Sequence, residues 1–232
     1  MNRIGIIGAM EIEVATLKAQ LEDIKVVKKA AMEFYEGTYE GKTLVVVRSG
    51  IGKVNAGVCA QILVDDFKVE AIINSGIAGG LHEDIEIGDI VISTDAIQHD
   101  MDATGFGYKV GQIPQMKESI FKADERLVKI ASEVCQSVNP EVKTLVGRVV
   151  TGDQFISGKE KKDWLRGTFD GYCAEMEGGA IAQAAYLNEI PFVIIRSISD
   201  KADSTACDDY PQFEKKAADH AVNLVNGMIS KM

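Results

Sequence analysis

Two glutamates follow the first glycine turn of the chain. Residues 4–7 form an apolar run of strand length that ends at Gly8, and Glu11 and Glu13 come next, where a helical pattern begins. A phosphate at such a helix start is bound by glycines and free backbone N–H groups, so the two carboxylates indicate a different ligand. At helical spacing their side chains diverge by about 200°, so we expect only one of them to face it.

A second pair of acids, Glu175 and Glu177, ends the apolar run that starts at Tyr172. If the strand continues, both side chains project from the same face. Acids are favoured at a helix N-terminus, so a solvated pair is one interpretation. The small apolar residues on either side favour a crowded, partly buried setting instead, in which the carboxylates need partners such as the vicinal hydroxyls of a sugar.

Residues 192–200 have the β-branched character of a buried central strand, yet they include Arg196 and end in Asp200. A buried arginine needs a carboxylate or an anionic ligand nearby. Asp200 either caps the following turn or, if burial raises its pKa, acts as a general acid. His99 has no obvious partner and is interpreted as a structural hydrogen bonder.

The glycine-rich segments fail the common phosphate-binding motifs. A P-loop ending at Val54 requires glycine where Val47 stands and serine or threonine at position 54 itself. A dinucleotide fingerprint fails at Asn55, and residues 74–80 have the wrong spacing for one. We expect these glycines to let the backbone approach a ligand or a neighbouring strand.

The composition limits the class of protein. The chain has 232 residues, of which 46% are hydrophobic, and a net charge of −10, so we expect one domain spanning residues 1–232. Basic residues are scattered, no apolar run reaches the ~18–20 residues of a membrane span, and no signal-peptide pattern precedes the first strand. These features predict a cytoplasmic protein without nucleic-acid or membrane partners. The four cysteines lie far apart, which argues against disulfides and metal sites.

Strand-length apolar runs alternate with helical patterns along the chain, which predicts an α/β fold with a mainly parallel or mixed sheet. Helices are predicted at about 11–21, 53–67, 124–136, 179–187 and 209–229. Strands are predicted at 4–7, 44–47, 71–74, 89–98, 145–150, 172–175 and 192–198, with two short ones between 25 and 40. Ligands gather at the carboxyl ends of such strands, where the acids described above are found.

Taken together, seven segments resemble the bacterial 5'-methylthioadenosine/S-adenosylhomocysteine nucleosidases of the nucleoside phosphorylase and hydrolase superfamily. They are residues 8–13 (GAMEIE), 49–54 (SGIGKV), 74–80 (NSGIAGG), 106–108 (FGY), 152–156 (GDQFI), 175–177 (EME) and 196–200 (RSISD). Their order and spacing cover essentially the whole chain. The resemblance implies a three-layer α/β/α fold with a central mixed, partly barrel-like β-sheet.

The resemblance also implies hydrolysis of the bond between adenine and ribose in 5'-thio-substituted adenosines, and in 5'-deoxyadenosine, with no metal or organic cofactor. This activity would serve methionine salvage and methyl-cycle recycling. Such cleavage benefits from a protonated leaving base, a stabilised sugar cation and an activated water. By this resemblance Asp200, with Ser199 beside it, is the general acid at adenine N7. Glu13 is the general base that activates water, and Arg196 helps to order the site.

The same resemblance assigns the substrate-binding positions. Glu177 and Met176 correspond to residues that hold the ribose hydroxyls, while Phe155 and Ile156 form the adenine slot, with Gly79 beside it. The positions around the 5' substituent are Met10, Ile51, Phe106, Tyr108, Pro114 and Tyr210. The loop from Phe106 to Pro114 is expected to complete the site of the neighbouring subunit in a homodimer.

Two departures from the family pattern are visible. Ile77 stands where many relatives have serine, and Gly178 and Gly179 stand where many have larger residues. The first is expected to remove or replace a polar contact near the ribose or the water. The second is expected to loosen the helix start after Glu177.

Other functions remain open. A phosphorylase of the same fold would attack with phosphate, but Glu11 and Glu13 would repel a phosphate dianion, and related phosphorylases carry arginine where Asn74 stands. Futalosine-type and AMP nucleosidases are also possible, because specificity for the 5' group depends on pocket shape. A noncatalytic nucleoside-binding protein would need the same pocket, yet the presence of both Glu13 and Asp200 favours turnover.

Overall fold

The computed structural model describes all 232 residues, Met1–Met232. The strands are β1 (Arg3–Gly8), β2 (Glu22–Lys29), β3 (Met32–Tyr39), β4 (Lys42–Arg48), β5 (Ala71–Gly80), β6 (Ile90–Gln98), β7 (Ile120–Lys122), β8 (Thr144–Thr151), β9 (Gly171–Glu175) and β10 (Phe192–Asp200). The α-helices are α1 (Glu11–Ala19), α2 (Lys53–Asp65), α3 (Glu125–Val138), α4 (Lys159–Phe169), α5 (Gly178–Leu187) and α6 (Ala206–Lys231). A single 3₁₀ turn lies at Thr104–Phe106.

All ten strands belong to one mixed sheet, part of which closes on itself. The order β10-β6-β8-β9-β5 returns to β10 because β5 and β10 pair in parallel, which makes a ring of five strands. From β5 the sheet continues as an open arm through β1, β4, β3 and β2, and β7 pairs with β6 outside the ring. The predicted mixed, partly barrel-like sheet is therefore confirmed.

The pairing of β10 with β5 is interrupted by one extra residue. Ile198 pairs with Ala78 and Asp200 pairs with Gly79, so Ser199 has no partner of its own. A bulge of this kind bends the strand and re-aims the side chains beyond it. Here it sits at the carboxyl end of β10.

Helices cover both faces of the sheet because the strand residues alternate between two apolar cores. In β4, Val45 and Val47 pack on one side with α2 and α5. Leu44 and Val46 pack on the other side with α1, α3 and α6. Side chains of a strand alternate between faces, so near-continuous apolar runs are buried on both sides. The result is the predicted three-layer α/β/α arrangement.

Two elements were not predicted from the sequence, β7 and α4. Helix α4 begins with the charged residues 159–162 and buries only Leu165 and Phe169, which are four residues apart. Such a narrow apolar stripe gives a weak helical pattern, and tertiary packing decides the structure instead. No helix of the chain is both long enough and apolar enough to span a membrane.

Close packing between α3 and α6 gives a test of the fold. A methyl group at Gly227 of α6 would overlap with Val134 Cγ1 of α3, whereas nothing lies within 4 Å of the same position at Gly167 in α4. Alanine is favoured over glycine in helices by about 1 kcal/mol, but overpacking a core costs about 1–3 kcal/mol. We therefore expect Gly227→Ala to lower the melting temperature and Gly167→Ala to raise it, in thermal unfolding followed by circular dichroism. A higher melting temperature for both variants would contradict the tight contact.

Candidate active site

The carboxyl ends of β1, β5, β9 and β10 meet around one cavity of about 370 Å³. Seventeen residues line it, and ten of them are hydrophobic. The predicted site residues among them are Met10, Glu13, Ile51, Gly79, Phe155, Ile156, Met176, Glu177, Ser199, Asp200 and Tyr210. Glu175, which the sequence analysis paired with Glu177, also lines the cavity, as do Ala9, Ala78, Gln154 and Ala174, which were not predicted as site residues.

Four predicted site residues do not line this cavity. Arg196 lies beneath it, only 2% exposed. Phe106, Tyr108 and Pro114 belong to the segment between β6 and β7, and Phe106 is 88% exposed. Their place in the site of a neighbouring subunit stays a prediction.

The guanidinium of Arg196 is the centre of a buried charge cluster. Nη2 donates to Asn74 Oδ1 at 2.6 Å and to Glu175, while Nη1 donates to the carbonyl of Ile195 at 3.0 Å. Burial alone would lower the pKa of Arg196, but the nearby Glu175, Glu177 and Glu13 outweigh it and raise the pKa. The arginine therefore stays charged and neutralises carboxylates around it.

Glu175 is the carboxylate that Arg196 binds directly. It also accepts the hydroxyl of Thr151 and the backbone N–H groups of Glu177 and Gly178. These four donors fill the hydrogen-bonding capacity of a carboxylate, so Glu175 supports the site rather than binding a ligand. The interpretation of Glu175 and Glu177 as a solvated pair was wrong, because both are buried. The strand also ends at Glu175, and Glu177 is the N-cap residue before α5.

Glu177 presents a less engaged carboxyl group to the cavity. Oε1 accepts the N–H of Gly52 at 2.8 Å. Burial and the negative charge of Glu175 raise the pKa of Glu177 to about 7, against the opposing effect of Arg196. A carboxyl group with this pKa exchanges its proton near neutral pH.

Glu13 is the third residue of α1 and is held almost entirely by the backbone. Oε2 accepts the N–H groups of Ala9 at 2.7 Å and Met10 at 2.9 Å, and Oε1 accepts that of Ile77 at 3.1 Å. Burial raises the pKa of Glu13, although Arg196 and these three N–H groups oppose the rise. Glu11 does not line this cavity and is bound by Lys18 at 2.9 Å, so Glu13 is the one of the two acids that faces it.

Asp200 follows the bulge of β10 and caps the following turn, which is one of the two interpretations made from the sequence. Oδ1 accepts the N–H of Ala202 at 2.8 Å, so the side chain caps the turn. Oδ2 accepts the hydroxyl of Ser199 at 2.8 Å. Burial raises the pKa of Asp200 despite these hydrogen bonds, so its protonated form is favoured relative to an exposed aspartate.

Three loops around the cavity are joined by an ion pair that the sequence did not predict. Lys53 Nζ lies 2.6 Å from Asp100 Oδ1, and Asp100 Oδ2 accepts the N–H of Asp153 at 3.0 Å. Asp153 in turn accepts the N–H of Lys53 at 2.8 Å. This network fixes Gly52, which binds Glu177, relative to the segment that carries Phe155.

His99 does not have the role expected from the sequence. Its ring is buried, yet neither ring nitrogen has a hydrogen-bond partner in the protein. Burial lowers the pKa of His99 to about 4, so the ring is neutral near neutral pH. It packs against Gly152, where a larger residue would collide with it. Its contacts within the protein are therefore packing contacts.

One end of the cavity is apolar. The hydroxyl of Tyr210 lies 3.2 Å from the sulfur of Met10, and the rings of Tyr210 and Phe155 meet edge to face at 6.0 Å. Ile77 packs into the same cluster with Met10 and Tyr210. Ile77 therefore adds an apolar wall to this end of the cavity.

The cavity as a whole offers carboxyl groups with raised pKa values beside an apolar surface. No lysine or arginine lines it. No group of three or more histidine, cysteine, aspartate or glutamate side chains is arranged to hold a metal ion. Such a site suits proton transfer to and from a largely apolar, uncharged ligand.

The closed mixed sheet and the acids at its carboxyl edge define a class, and the family model of the phosphorylase superfamily matches residues 3–230. A 5'-methylthioadenosine/S-adenosylhomocysteine nucleosidase of Bacillus licheniformis is 42% identical over 99% of both chains. The Neisseria meningitidis enzyme of that name, solved with methylthio-immucillin-A, has a TM-score of 0.96 and 36% identity over 100% of both chains. A futalosine hydrolase of Helicobacter pylori has a TM-score of 0.94 and 30% identity, over 100% of this chain and 98% of its own.

Within that superfamily, the chain belongs to the 5'-methylthioadenosine/S-adenosylhomocysteine nucleosidases, which confirms the resemblance found in the sequence.

The raised pKa of Glu177 predicts a pH-dependent cost to stability. Because the folded pKa of about 7 lies above the ordinary value of 4.5, the folded state binds more protons between these values. Stability is therefore lost as pH rises through this window. Glu177→Gln keeps an acceptor for Gly52 and removes the charge. We expect it to raise the unfolding free energy by roughly 1–3 kcal/mol at pH 8 and by less at pH 5.5.

Denaturant unfolding at the two pH values measures this effect. Glu133→Gln on the exposed face of α3 is the matched control and should change stability little at either pH. Lower stability of Glu177→Gln at both pH values would mean that Arg196 needs the negative charge of Glu177.

Proposed function

We propose that the chain hydrolyses the N-glycosidic bond of 5'-methylthioadenosine and S-adenosylhomocysteine, releasing adenine and the 5'-substituted ribose. The observation that carries the proposal is that Glu13 and Asp200, both buried and both with raised pKa values, face one cavity that no cationic side chain lines. The names of the relatives support the same reaction. The activity belongs to methionine salvage and methyl-cycle recycling, and we place the chain in the cytoplasm.

Asp200 acts on the leaving group. Departure of adenine leaves negative charge on the purine ring, and protonation at N7 neutralises it. The raised pKa of Asp200 supplies a proton at neutral pH more readily than an exposed aspartate would. The hydroxyl of Ser199 and the N–H of Ala202 hold the carboxyl group in place. Phe155 and Ile156 form the apolar slot that holds the adenine ring.

Glu177 and Met176 hold the ribose. As the glycosidic bond lengthens, positive charge develops on the sugar, and an ionised carboxylate at its hydroxyls stabilises that charge. The pKa of about 7 lets Glu177 take the ionised form in this step at little cost. Gly79 lines the cavity beside these residues.

Glu13 activates the water that attacks the sugar. Its three backbone hydrogen bonds leave one lone pair of Oε1 for a water molecule. The base has to be ionised at that moment, and Arg196 favours this form. A pKa raised above the ordinary value also makes the carboxylate a better proton acceptor near neutral pH. Asp200 and Glu13 thus move protons in opposite directions.

The apolar end of the cavity receives the 5' substituent. Met10, Ile51 and Tyr210 line it, and a thioether is better matched to these side chains than a phosphate is. This favours 5'-thioadenosines over AMP. The absence of lysine and arginine from the lining disfavours phosphate as the attacking group, since phosphate needs cationic donors.

A homodimer completes the site. Val54 and Val58 lie one helical turn apart on α2 and are exposed, as is Phe106. The ion pair between Lys53 and Asp100 brings the start of α2 close to the segment that leads to Phe106. Together they offer an apolar surface for a second copy. The segment with Phe106, Tyr108 and Pro114 then covers the 5' subsite of the partner.

We expect adenine to be released from 5'-methylthioadenosine in phosphate-free buffer at the same rate as with added phosphate. Base release is followed by absorbance, and the sugar product is identified by mass spectrometry. The free 5-methylthioribose should form in both buffers. Formation of a ribose 1-phosphate ester, or a requirement for phosphate, would refute hydrolysis.

We expect Asp200→Asn to reduce kcat by about 10²–10⁴-fold, because the amide cannot donate a carboxylic proton. Asn keeps an acceptor for the N–H of Ala202, so the fold and ligand binding should survive. Steady-state kinetics together with calorimetric binding of a nonhydrolysable analogue measure the two effects. Asp203→Asn, which alters a carboxylate outside the cavity lining, is the control. Turnover of Asp200→Asn near the wild-type rate would remove Asp200 from the role of general acid.

A further inference from the structure

A second cavity opens beside the candidate active site. It measures about 360 Å³ and is lined by Ala9, Met10, Glu11, Ala31, Arg48, Ser49, Gly50 and Ile51. Ala9, Met10 and Ile51 also line the active-site cavity, so the two spaces share a wall. Met10 and Ile51 surround the proposed 5' subsite and also line this second cavity, here called the side groove, so the groove is adjacent to the residues that a 5' substituent would contact.

The side groove carries one side chain of each charge. Arg48 ends β4 and is more than half exposed, and its guanidinium comes no closer to Glu11 than 3.9 Å, which is beyond hydrogen-bond distance. Glu11 is fixed by Lys18, whose Nζ lies 2.9 and 3.0 Å from its two carboxylate oxygens. The planar donors of Arg48 are therefore available to a ligand, next to a carboxylate that is already held in position.

We propose that the side groove binds the α-amino acid end of long 5'-thioether substituents, with Arg48 on the carboxylate and Glu11 on the ammonium group. A guanidinium binds a carboxylate through two parallel hydrogen bonds, which suits it to this end of a zwitterion. A methylthio group has neither a carboxylate nor an ammonium group and makes neither contact. The inference rests on the proposed function and adds a subsite that distinguishes S-adenosylhomocysteine from 5'-methylthioadenosine.

The expected effect is moderate because both charged groups are partly solvated. Ion pairs at exposed positions contribute little to the free energy of binding, although bidentate geometry increases that contribution. We expect Arg48→Gln to lower kcat/KM for S-adenosylhomocysteine by roughly 3–10-fold, mainly through KM. The value for 5'-methylthioadenosine should change by less than about twofold. Glu11→Gln should also lower kcat/KM for S-adenosylhomocysteine relative to that for 5'-methylthioadenosine, by a smaller factor.

Adenine release from both substrates, measured with the wild type and these variants, tests the subsite. Lys42→Gln, at the opposite end of β4, is the matched control and should leave the ratio of the two kcat/KM values unchanged. A substrate analogue that retains the amine but lacks the carboxylate should be cleaved equally well by the wild type and by Arg48→Gln. Raising the salt concentration should lower the preference for S-adenosylhomocysteine in the wild type but not in Arg48→Gln.

The possible failures are distinguishable. An unchanged substrate ratio in Arg48→Gln, or an equal loss with both substrates, would overturn the proposed subsite while leaving hydrolysis of 5'-methylthioadenosine intact. Failure of the wild type to release adenine from 5'-methylthioadenosine would overturn the proposed function itself.

Discussion

The buried charge of Arg196 is the interaction on which the cavity depends. Three glutamates, Glu13, Glu175 and Glu177, are buried around it, and that many carboxylates without a cation would be too costly to keep ionised. The arginine does not influence them equally. Glu175 binds it directly and is fully engaged, while Glu13 and Glu177 lie farther from it and have raised pKa values. Because Arg196 binds Glu175 directly and the other two less closely, Glu175 has a supporting role, while Glu13 and Glu177 can exchange protons.

The closed part of the sheet gives this cluster its rigidity. Strands β5 and β10 pair with each other within the ring, and both deliver site residues at their carboxyl ends. Gly76 of β5 leaves space for Glu13, since a Cβ atom there would lie 2.6 Å from Oε1. Residues on paired strands move less than residues on loops. Proton transfer requires donor and acceptor groups to be held at short, fixed distances, and the strands provide this rigidity.

The sequence predicted well what depends on local pattern. Apolar runs predicted the positions of most strands. The polar residues at or after the ends of these runs included Glu13, Glu177 and Asp200, which line the cavity. Interactions between distant segments were not predictable in this way. The bond of Glu175 to Arg196 and the ion pair of Lys53 with Asp100 join residues 21 and 47 positions apart. Helix α4 was missed because its apolar stripe is too narrow to stand out from its charged residues.

The bulge at Ser199 makes the orientation of Asp200 sensitive to the length of β10. Side chains along a strand alternate between two faces, so the orientation of Asp200 depends on the number of residues before it as well as on its identity. A deletion of one residue in β10 would leave the aspartate in the chain and turn its carboxyl group toward the helices. A change in the length of β10 would therefore alter the site even if every side chain were kept. The orientation of the Asp200 carboxyl group is therefore set by the length of β10, and Ser199 is the extra residue that sets it.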